Sequence, residues 1–286
     1  MLCSLGTFNS KELQVVKGDS PAALVALLKA SSKQRDLSAS SRLHAYIVRA
    51  RLLGNIHVGS ALVNAYARCG ALGKAEQVLS TLPQRTLVAW TALIAGYARC
   101  GPYRRALDCV EAMEHMDGFS PDSVTLVCAL KACGSLRDLE RGQKFHADII
   151  RDGTFGGHIF VVNALVDMYA KCGTLGNAQE VFDELHLRDL SSWNVMISAY
   201  AQYEHAYDSA HGEAALNCFY RMQSEGFSAD LITFVGILKA CGSSRKIQQG
   251  QEIHARFVAD RLMEKHISAG NALVDMYAKC GMLSEA

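Results

Sequence analysis

The chain has 286 residues, of which 50% are hydrophobic and 20% charged, and this composition excludes a chain that is disordered throughout. Its 29 basic and 28 acidic side chains give a formal net charge of +1, which excludes sequence-blind polyanion binding through a strong bulk field. No apolar stretch approaches the roughly 20 residues of a membrane helix, so we expect no membrane association.

In chain order, residues 1–20 come first, as an N-terminal segment for which we expect disorder. Lys11 and Lys17 lie in this segment beside Glu12 and Asp19, and the segment contains no arginine. It is therefore a poor match to an arginine-rich organellar transit peptide, and targeting does not follow from this end of the chain.

From residue 21 to residue 286 the chain is a repeat array. NALVDMYAKCG occurs at 163–173 and again at 271–281, with the related SALVNAYARCG at 60–70. LKASSK at 28 is matched by LKACGS at 130 and 238, and WTALIAGYA at 90 by WNVMISAYA at 193. Repeat units with lengths in the thirties of residues predict stacked helical hairpins that complete one another's core. The predicted units are 21–55, 56–86, 87–122, 123–158, 159–189, 190–230, 231–266 and a partial 267–286.

The apolar pattern inside each unit predicts two antiparallel helices, A and B. In unit 159–189 one face carries Ala164, Leu165, Met168 and Tyr169, and after Cys172-Gly173 a second stripe carries Leu175, Ala178, Val181, Phe182 and Leu185. Glycines are expected at the break between A and B because a helix end favours left-handed backbone there. The matching positions are Gly70, Gly101, Gly134, Gly242 and Gly281. The predicted fold class is an all-α solenoid of about seven and a half hairpins, with Trp90 and Trp193 in its core.

Unit 190–230 contains the segment AQYEHAYDSAHGEA, about six residues longer than its counterpart after Tyr97. We expect a lengthened A-to-B turn that bulges outward. His211-Gly212-Glu213 matches the His-x-Glu half of a zinc deaminase, but no Pro-Cys-x-x-Cys follows, so we interpret it as a solvated loop.

The cycle of three unit types, with its MYAKCG, LKAC and Trp-Asn phrases, resembles the PLS class of plant pentatricopeptide-repeat proteins over about 20–286. The resemblance implies a right-handed superhelix whose A helices line a groove for single-stranded RNA. It also implies a mitochondrial or chloroplast protein that acts as a specificity factor in RNA processing, above all C-to-U editing. The chain would then be a fragment without the C-terminal E and DYW-type domains, and a deaminase or other editing factor would act in trans.

By the same resemblance, the fifth and last residues of a unit select one base. These residues are Thr91 with Asp122, Asn163 with Asp189, Asn194 with Asp230, Ser60 with Thr86, and Asn271 without its partner. An ionised carboxylate only accepts hydrogen bonds, so Asp favours the ring N–H of uracil or guanine. The resemblance assigns G to Thr-Asp and U, less strictly C, to Asn-Asp.

The units at 21–55, 123–158 and 231–266, the long units of the class, depart from this pattern. Their fifth residues are Val25, Val127 and Val235, and their last residues are Asn55, His158 and His266. Valine cannot hydrogen-bond a base edge, so these units are expected to space or stack bases. The partial target predicted for units 87–230 is G, any base, pyrimidine, pyrimidine.

Two further positions match the family's RNA contacts. Basic residues at the thirteenth position would lie near phosphate, and these are Arg68, Arg99, Lys171 and Lys279. The alternative for them is a structural role, offsetting the dipole at a helix end. Apolar residues at the second position would stack on bases, and these are Val88, Phe160 and Ile232.

No catalytic residue, cofactor, metal site or small-molecule substrate is predicted. The ten cysteines include no Cys-x-x-Cys pair and recur at helix ends, which favours packing over metal binding. The alternative function is a protein-binding helical-repeat scaffold, because amphipathic hairpins alone do not reveal what a groove holds. The Asn or Thr with Asp pairing in some units, against Val in the long ones, favours RNA.

Overall fold

The computed structural model describes residues 20–153, 158–185, 187–202, 209–259 and 267–282, and in these ranges the regular secondary structure is entirely α-helical. Fifteen helices are described: α1 Pro21–Gln34, α2 Leu37–Arg49, α3 Ile56–Arg68, α4 Leu72–Thr81, α5 Leu87–Cys100, α6 Tyr103–Asp117, α7 Ser123–Leu136, α8 Leu139–Arg151, α9 Ile159–Lys171, α10 Leu175–Asp183, α11 Leu190–Gln202, α12 Ser209–Ser224, α13 Leu231–Ser243, α14 Ile247–Ala259 and α15 Ile267–Lys279. None of these helices is both long and apolar enough to cross a membrane.

The chain divides into two compact halves, Met1–Ala132 and Cys133–Ala286. In the N-terminal half the odd-numbered helices α1, α3 and α5 pack against one another in succession. In the C-terminal half α9, α11, α13 and α15 do the same. Six odd-numbered helices also pack against the even-numbered helix that follows them, namely α1, α3, α5, α9, α11 and α13. Each half therefore has one layer of odd helices and one of even helices.

The core follows the predicted apolar faces. In α9 Leu165, Met168 and Tyr169 are buried, and in α10 Val181 and Phe182 are buried. Trp90 and Trp193 are buried too, at 6% and 0% exposure, as the sequence predicts. Neighbouring hairpins share this core, because an amphipathic hairpin has no second apolar layer of its own.

The turn after helix A differs from the prediction in the long units. Gly70, Gly101, Gly173 and Gly281 adopt positive φ after their helices. Gly134 and Gly242 do not, because they lie inside α7 and α13. Here the helix runs on, and the left-handed residue is an arginine, Arg137 at φ 54° or Arg245 at φ 54°. The assignment of Gly134 and Gly242 to the turn was therefore wrong.

These two glycines allow close approach of helices instead. A Cβ on Gly134 would lie 3.2 Å from Met168 Cα, and a Cβ on Gly142 of α8 would lie 2.4 Å from Met168 Sδ. The long unit that follows repeats the arrangement with Gly242, Gly250 and Met276. Glycine at these places lets the next odd helix pack against the hairpin at short range.

Unit 190–230 also departs from the prediction. Residues 203–208 of the lengthened turn lie outside the described residues. His211-Gly212-Glu213 belongs to the first turns of α12, so its interpretation as a solvated loop was wrong. A Cβ on Gly212 would lie 2.9 Å from the Ala240 carbonyl oxygen, and the Glu213 carboxylate pairs with Lys246. This segment packs against α13, and the Glu213 carboxylate is engaged in an ion pair.

Tyrosine hydroxyls tie successive hairpins together. His44 Nδ1 lies 3.0 Å from Tyr66 Oη, and His146 Nδ1 lies 2.8 Å from Tyr169 Oη. Tyr97 donates to Glu76 at 2.8 Å, and burial together with this carboxylate raises the pKa of Tyr97 to about 12. Each bond joins an even-numbered helix to the odd-numbered helix of the next hairpin.

We expect the free energy of unfolding to fall in mild acid because of the two histidines in these His–Tyr contacts. Burial lowers the pKa of His44 and His146 from 6.5, because desolvation penalises the charged imidazolium. Below pH 6.5 the unfolded chain therefore binds protons that the folded chain does not, and stability present above that pH is lost as pH falls. Urea unfolding at about pH 7.5 and about pH 5.5 measures this. A His44→Gln, His146→Gln variant should show the shallower pH dependence, and equal dependence would contradict the assignment.

Candidate functional site

A groove of about 1390 Å³ lies in the C-terminal half. It is lined by the end of α7, by α9 and α11, and by the start of α13. Four predicted site residues line it: Lys171, Asn194, Asp230 and Ile232. The odd-numbered helices, which are the predicted A helices, thus form its walls.

The predicted last-position residues share a structural role beyond the predicted choice of base. Asp122 Oδ1 accepts from Thr125 N at 2.8 Å, Asp189 Oδ1 from Ser192 N at 2.7 Å, and Asp230 Oδ1 from Thr233 N at 2.9 Å. Thr86 caps α5 in the same way through Ala89 N at 3.2 Å. Asp and Thr are favoured N-cap residues, so helix capping alone gives a reason for these side chains.

Asn194 and Asp230 form a direct pair. Asn194 Nδ2 donates to both carboxylate oxygens of Asp230, each at 3.1 Å. Thr233 Oγ1 lies 2.6 Å from Asn194 Oδ1 and donates to it. The structure therefore brings the fifth and last residues of unit 190–230 together at the groove, with their polar groups engaged by each other.

Asn163 has different surroundings. It is only 7% exposed and is not among the residues that line the groove. Neither Nδ2 nor Oδ1 has a hydrogen-bond partner among the residues that the structure describes. A buried amide without a partner costs free energy, so this side chain gains from any ligand that supplies one.

The remaining predicted base-selecting residues differ in their surroundings. Thr91 is half-buried, with its hydroxyl 3.0 Å from Thr125 Oγ1. Ser60 Oγ lies 2.8 Å from Thr86 Oγ1, which again joins a fifth residue to a last residue. Asn271 is exposed on α15.

The predicted stacking residues are large apolar side chains left in solvent. Val88 is 67% exposed, Phe160 70% and Ile232 57%. Val124, at the second position of unit 123–158, is 53% exposed and was not among the predicted stacking residues. Its place as the second residue of its unit, the position that the predicted stacking residues hold in theirs, identifies Val124 from the sequence.

The predicted basic residues are exposed at the ends of odd-numbered helices but are partly engaged. Lys171 Nζ pairs with Asp167 at 2.6 Å, and Lys279 Nζ with Asp275 at 2.8 Å. Arg99 donates to the Ala67 carbonyl oxygen at 2.7 Å, a contact that fits the structural alternative. Exposed pairs of this kind contribute roughly 0–1 kcal/mol, so a phosphate can displace them at little cost.

The long units present no polar fifth residue. Val25, Val127 and Val235 are half-buried on odd-numbered helices. Asn55 caps α3 through His57 N at 3.1 Å, whereas the His158 side chain makes no capping bond. His266 lies outside the described residues.

The cysteines lack the properties of reactive thiols where they are most buried. Burial raises the pKa of the Cys133 and Cys241 thiols to about 12, so both stay protonated at neutral pH. Across the described ranges, no cluster of three or more His, Cys, Asp or Glu side chains could hold a metal ion.

The repeat phrases match a known family. The PPR repeat family model matches residues 88–117, 160–190, 191–206 and 271–286. A pentatricopeptide repeat-containing protein of Arabidopsis thaliana, named as chloroplastic and mitochondrial, is 33% identical over 264 residues, covering 91% of this chain and 40% of that protein. The chloroplastic pentatricopeptide repeat-containing protein CRR2 of Arabidopsis thaliana is 34% identical over 87% of this chain and 37% of its own length.

The chain belongs to the pentatricopeptide-repeat proteins. It spans 40% and 37% of the length of these two relatives. The crystal structure of the pentatricopeptide repeat protein PPR10 in complex with an 18-nt psaJ RNA element aligns with a TM-score of 0.74 over 96% of this chain and 40% of that chain. The identity there is 18%, so the likeness concerns the fold. This pentatricopeptide-repeat chain thus has the predicted all-α helical-repeat solenoid fold.

Proposed function

We propose that this chain binds single-stranded RNA along its odd-numbered helices, one base per unit, and that Asn194 with Asp230 is one of its base-selecting pairs. The observation that carries the proposal is the groove, where this polar pair lies with exposed Ile232 and with Lys171. A selector of unpaired bases needs a hydrogen-bonding edge, a stacking surface and a phosphate contact, and these residues supply the three.

The chemistry of the pairs supports a base preference. The Asp122 and Asp189 carboxylates each use Oδ1 for capping, and Oδ2 has no protein partner among the described residues. An acceptor-only oxygen suits the ring N–H of U or G rather than the bare ring nitrogen of A or C. The free oxygen supports G at the first position and U at the third. C at the third position and the pyrimidine at the fourth come from the family resemblance, because both Asp230 oxygens accept from Asn194. The proposed target for units 87–230 stays G, any base, pyrimidine, pyrimidine, with the long unit between spacing the bases.

The known relatives support a role in organelles. The Arabidopsis relatives are named as chloroplastic or mitochondrial. PPR10, whose fold this chain shares, is bound to an 18-nt psaJ RNA element in its crystal structure, which supports RNA as the ligand. We propose that this chain works in a plant mitochondrion or chloroplast as a specificity factor in RNA processing, with C-to-U editing as the process. No catalytic role is assigned to its described residues, and deamination is proposed to come from a separate domain or a partner.

The proposal is tested by selection from a library of short randomised single-stranded RNAs with the wild-type chain. The expected result is enrichment of one register with G at the first position and pyrimidines at the third and fourth. Duplex RNA of the enriched sequence should bind weakly, because its base edges are not accessible. Enrichment of no sequence, with equal binding to duplex, would reject the proposal and favour the protein-binding scaffold.

The phosphate contacts give a separate prediction. Arg99→Gln with Lys171→Gln should weaken binding to all RNA sequences alike and reduce the slope of log K against log salt by about 1.4, since each single-strand phosphate contact contributes about 0.7. Measuring affinity across a series of salt concentrations checks this.

The matched control removes one Arg and one Lys from even-numbered helices. Arg104 and Lys144 are exposed on α6 and α8. Arg104→Gln with Lys144→Gln makes the same change in net charge and should leave the slope nearly as in wild type. Equal slopes for the two double variants would place the phosphate contacts elsewhere.

A further inference from the structure

A buried hydroxyl follows each predicted last-position Asp by three residues. Thr125, Ser192 and Thr233 stand third in their helices, and all three are 0% exposed. The predicted choice of base depends on the fifth and last residues of a unit and does not involve these three hydroxyls. Each hydroxyl nevertheless contacts a residue of a base-selecting pair.

Thr233 makes the fullest set of these contacts. Its hydroxyl accepts from Asp230 N at 3.2 Å, and Asn194 Oδ1 at 2.6 Å and Asp230 Oδ1 at 2.9 Å are both within its donating reach. Because a hydroxyl has one hydrogen, the shorter contact identifies Asn194 as the better acceptor. The hydroxyl therefore links the cap, the Asp and the Asn in one network.

This network decides how the Asn194 amide is turned. The Asp230 carboxylate accepts only, so it must face Nδ2, and the Thr233 hydroxyl then meets Oδ1. Turning the amide over would set Oδ1 against the carboxylate, two acceptors with no hydrogen between them, and would remove the Asn194 oxygen to which the Thr233 hydroxyl donates. Only one arrangement of donor and acceptor is thus offered to a ligand.

The equivalent residue of the neighbouring unit does not do this. Ser192 lies 2.9 Å from Asp189 Oδ1 and donates to it, and the Asn163 amide has no hydrogen-bond partner in the described part of the chain. In the N-terminal half Thr125 reaches Thr91, at 3.0 Å, so the contact to a fifth residue recurs there. The hydroxyl after the Asp thus holds the fifth residue in some units only.

We propose that Thr233 is a positioning residue that fixes the orientation of the Asn194 amide and so sets how strictly unit 190–230 distinguishes U from C. This rests on the proposed function, because it concerns the choice of base by Asn194 and Asp230. The unit at 159–189, whose Asn163 is not held, is the more permissive of the two Asn-Asp units.

The test compares the U-to-C affinity ratio at single nucleotides for wild type, Thr233→Val and Thr233→Ser. Valine keeps the shape and removes the hydroxyl, and the ratio at the nucleotide of unit 190–230 should fall about fivefold, the effect of one hydrogen bond. Serine keeps the hydroxyl and should restore the wild-type ratio. Thr125→Val is the matched control, which should alter the choice only at the nucleotide of unit 87–122. Thermal unfolding identifies misfolded variants, and Thr233→Ala provides a second variant without the hydroxyl.

The outcomes separate the two proposals. A wild-type chain with no preference at any nucleotide overturns both. A wild-type chain that prefers U, with Thr233→Val keeping the same ratio, overturns the role of Thr233 alone. Equal loss in Thr233→Ser also overturns it, because the hydroxyl would not be the determinant.

Discussion

Replacing Trp193 with alanine is expected to lower the free energy of unfolding by about 3–5 kcal/mol, the range for removing a large aromatic side chain from a core. Trp193 is 0% exposed, and its ring meets the Phe182 ring edge-on with centroids 4.9 Å apart. The Arg221 guanidinium lies 5.5 Å from the Trp193 ring. The substitution therefore leaves a cavity between α10 and α11 and removes a cation–π contact.

Denaturant unfolding followed by circular dichroism measures this loss. Tyr220→Ala in α12 is the control, since Tyr220 is 45% exposed and should cost much less. Trp193→Phe should recover much of the stability, because the indole nitrogen has no hydrogen-bond partner among the described residues. A Trp193→Ala variant within about 0.5 kcal/mol of wild type would contradict the core assignment.

Replacing Phe160 with alanine is expected to lower RNA affinity and to leave stability nearly unchanged. Phe160 is 70% exposed at the start of α9, so its removal should leave the free energy of unfolding nearly unchanged. If it stacks on a base, RNA affinity should fall by ~1–3 kcal/mol, or roughly 5- to 150-fold in Kd. Titration of fluorescent single-stranded RNA measures the affinity.

Leu187→Ala is the control for this variant. Leu187 is 84% exposed, precedes α11 and is not at a second position, so its removal should leave RNA affinity unchanged. Equal affinity losses for the two variants would show a general effect of surface hydrophobicity. An unchanged affinity for Phe160→Ala would remove the second position from the RNA contact.

The helices and their buried faces were predictable because the apolar period determines which side chains share a face. Leu165 and Tyr169 recur on one face of α9, and Trp193 recurs at the place of Trp90, so their burial follows from periodicity alone. The prediction of pentatricopeptide repeats was confirmed by the family comparison. The repeat boundaries and the roles of the individual site residues stay predictions.

Contacts between helices were not predictable in the same way. Gly134 resembles a turn glycine in sequence, yet it lies inside α7, where Met168 of the next hairpin packs close to it. His211-Gly212-Glu213 carries polar groups typical of a loop, yet Gly212 packs against α13. Sequence spacing determines the position of a residue along its own helix, whereas these outcomes depend on the distance to a neighbouring helix.

The candidate site shows the same limit. Asn163 and Asn194 stand at the same position of similar units, and the sequence predicts equal surroundings. Asn194 is bonded to Asp230 and Thr233, whereas Asn163 is buried without a partner in the described part of the chain. The difference arises because Thr233 reaches the amide and Ser192 bonds to Asp189 instead.

The claim that these helices select bases one by one is tested most directly by changing one fifth residue at a time. Asn163→Thr and Asn194→Thr, with Asp189 and Asp230 retained, recreate the Thr-Asp pair that Thr91 and Asp122 already form in unit 87–122. Binding selections on randomised single-stranded RNA with the two variants should each move the preference from U towards G, at two adjacent nucleotides. A preference that changes at no nucleotide, or at the same nucleotide for both variants, would contradict base selection by single units.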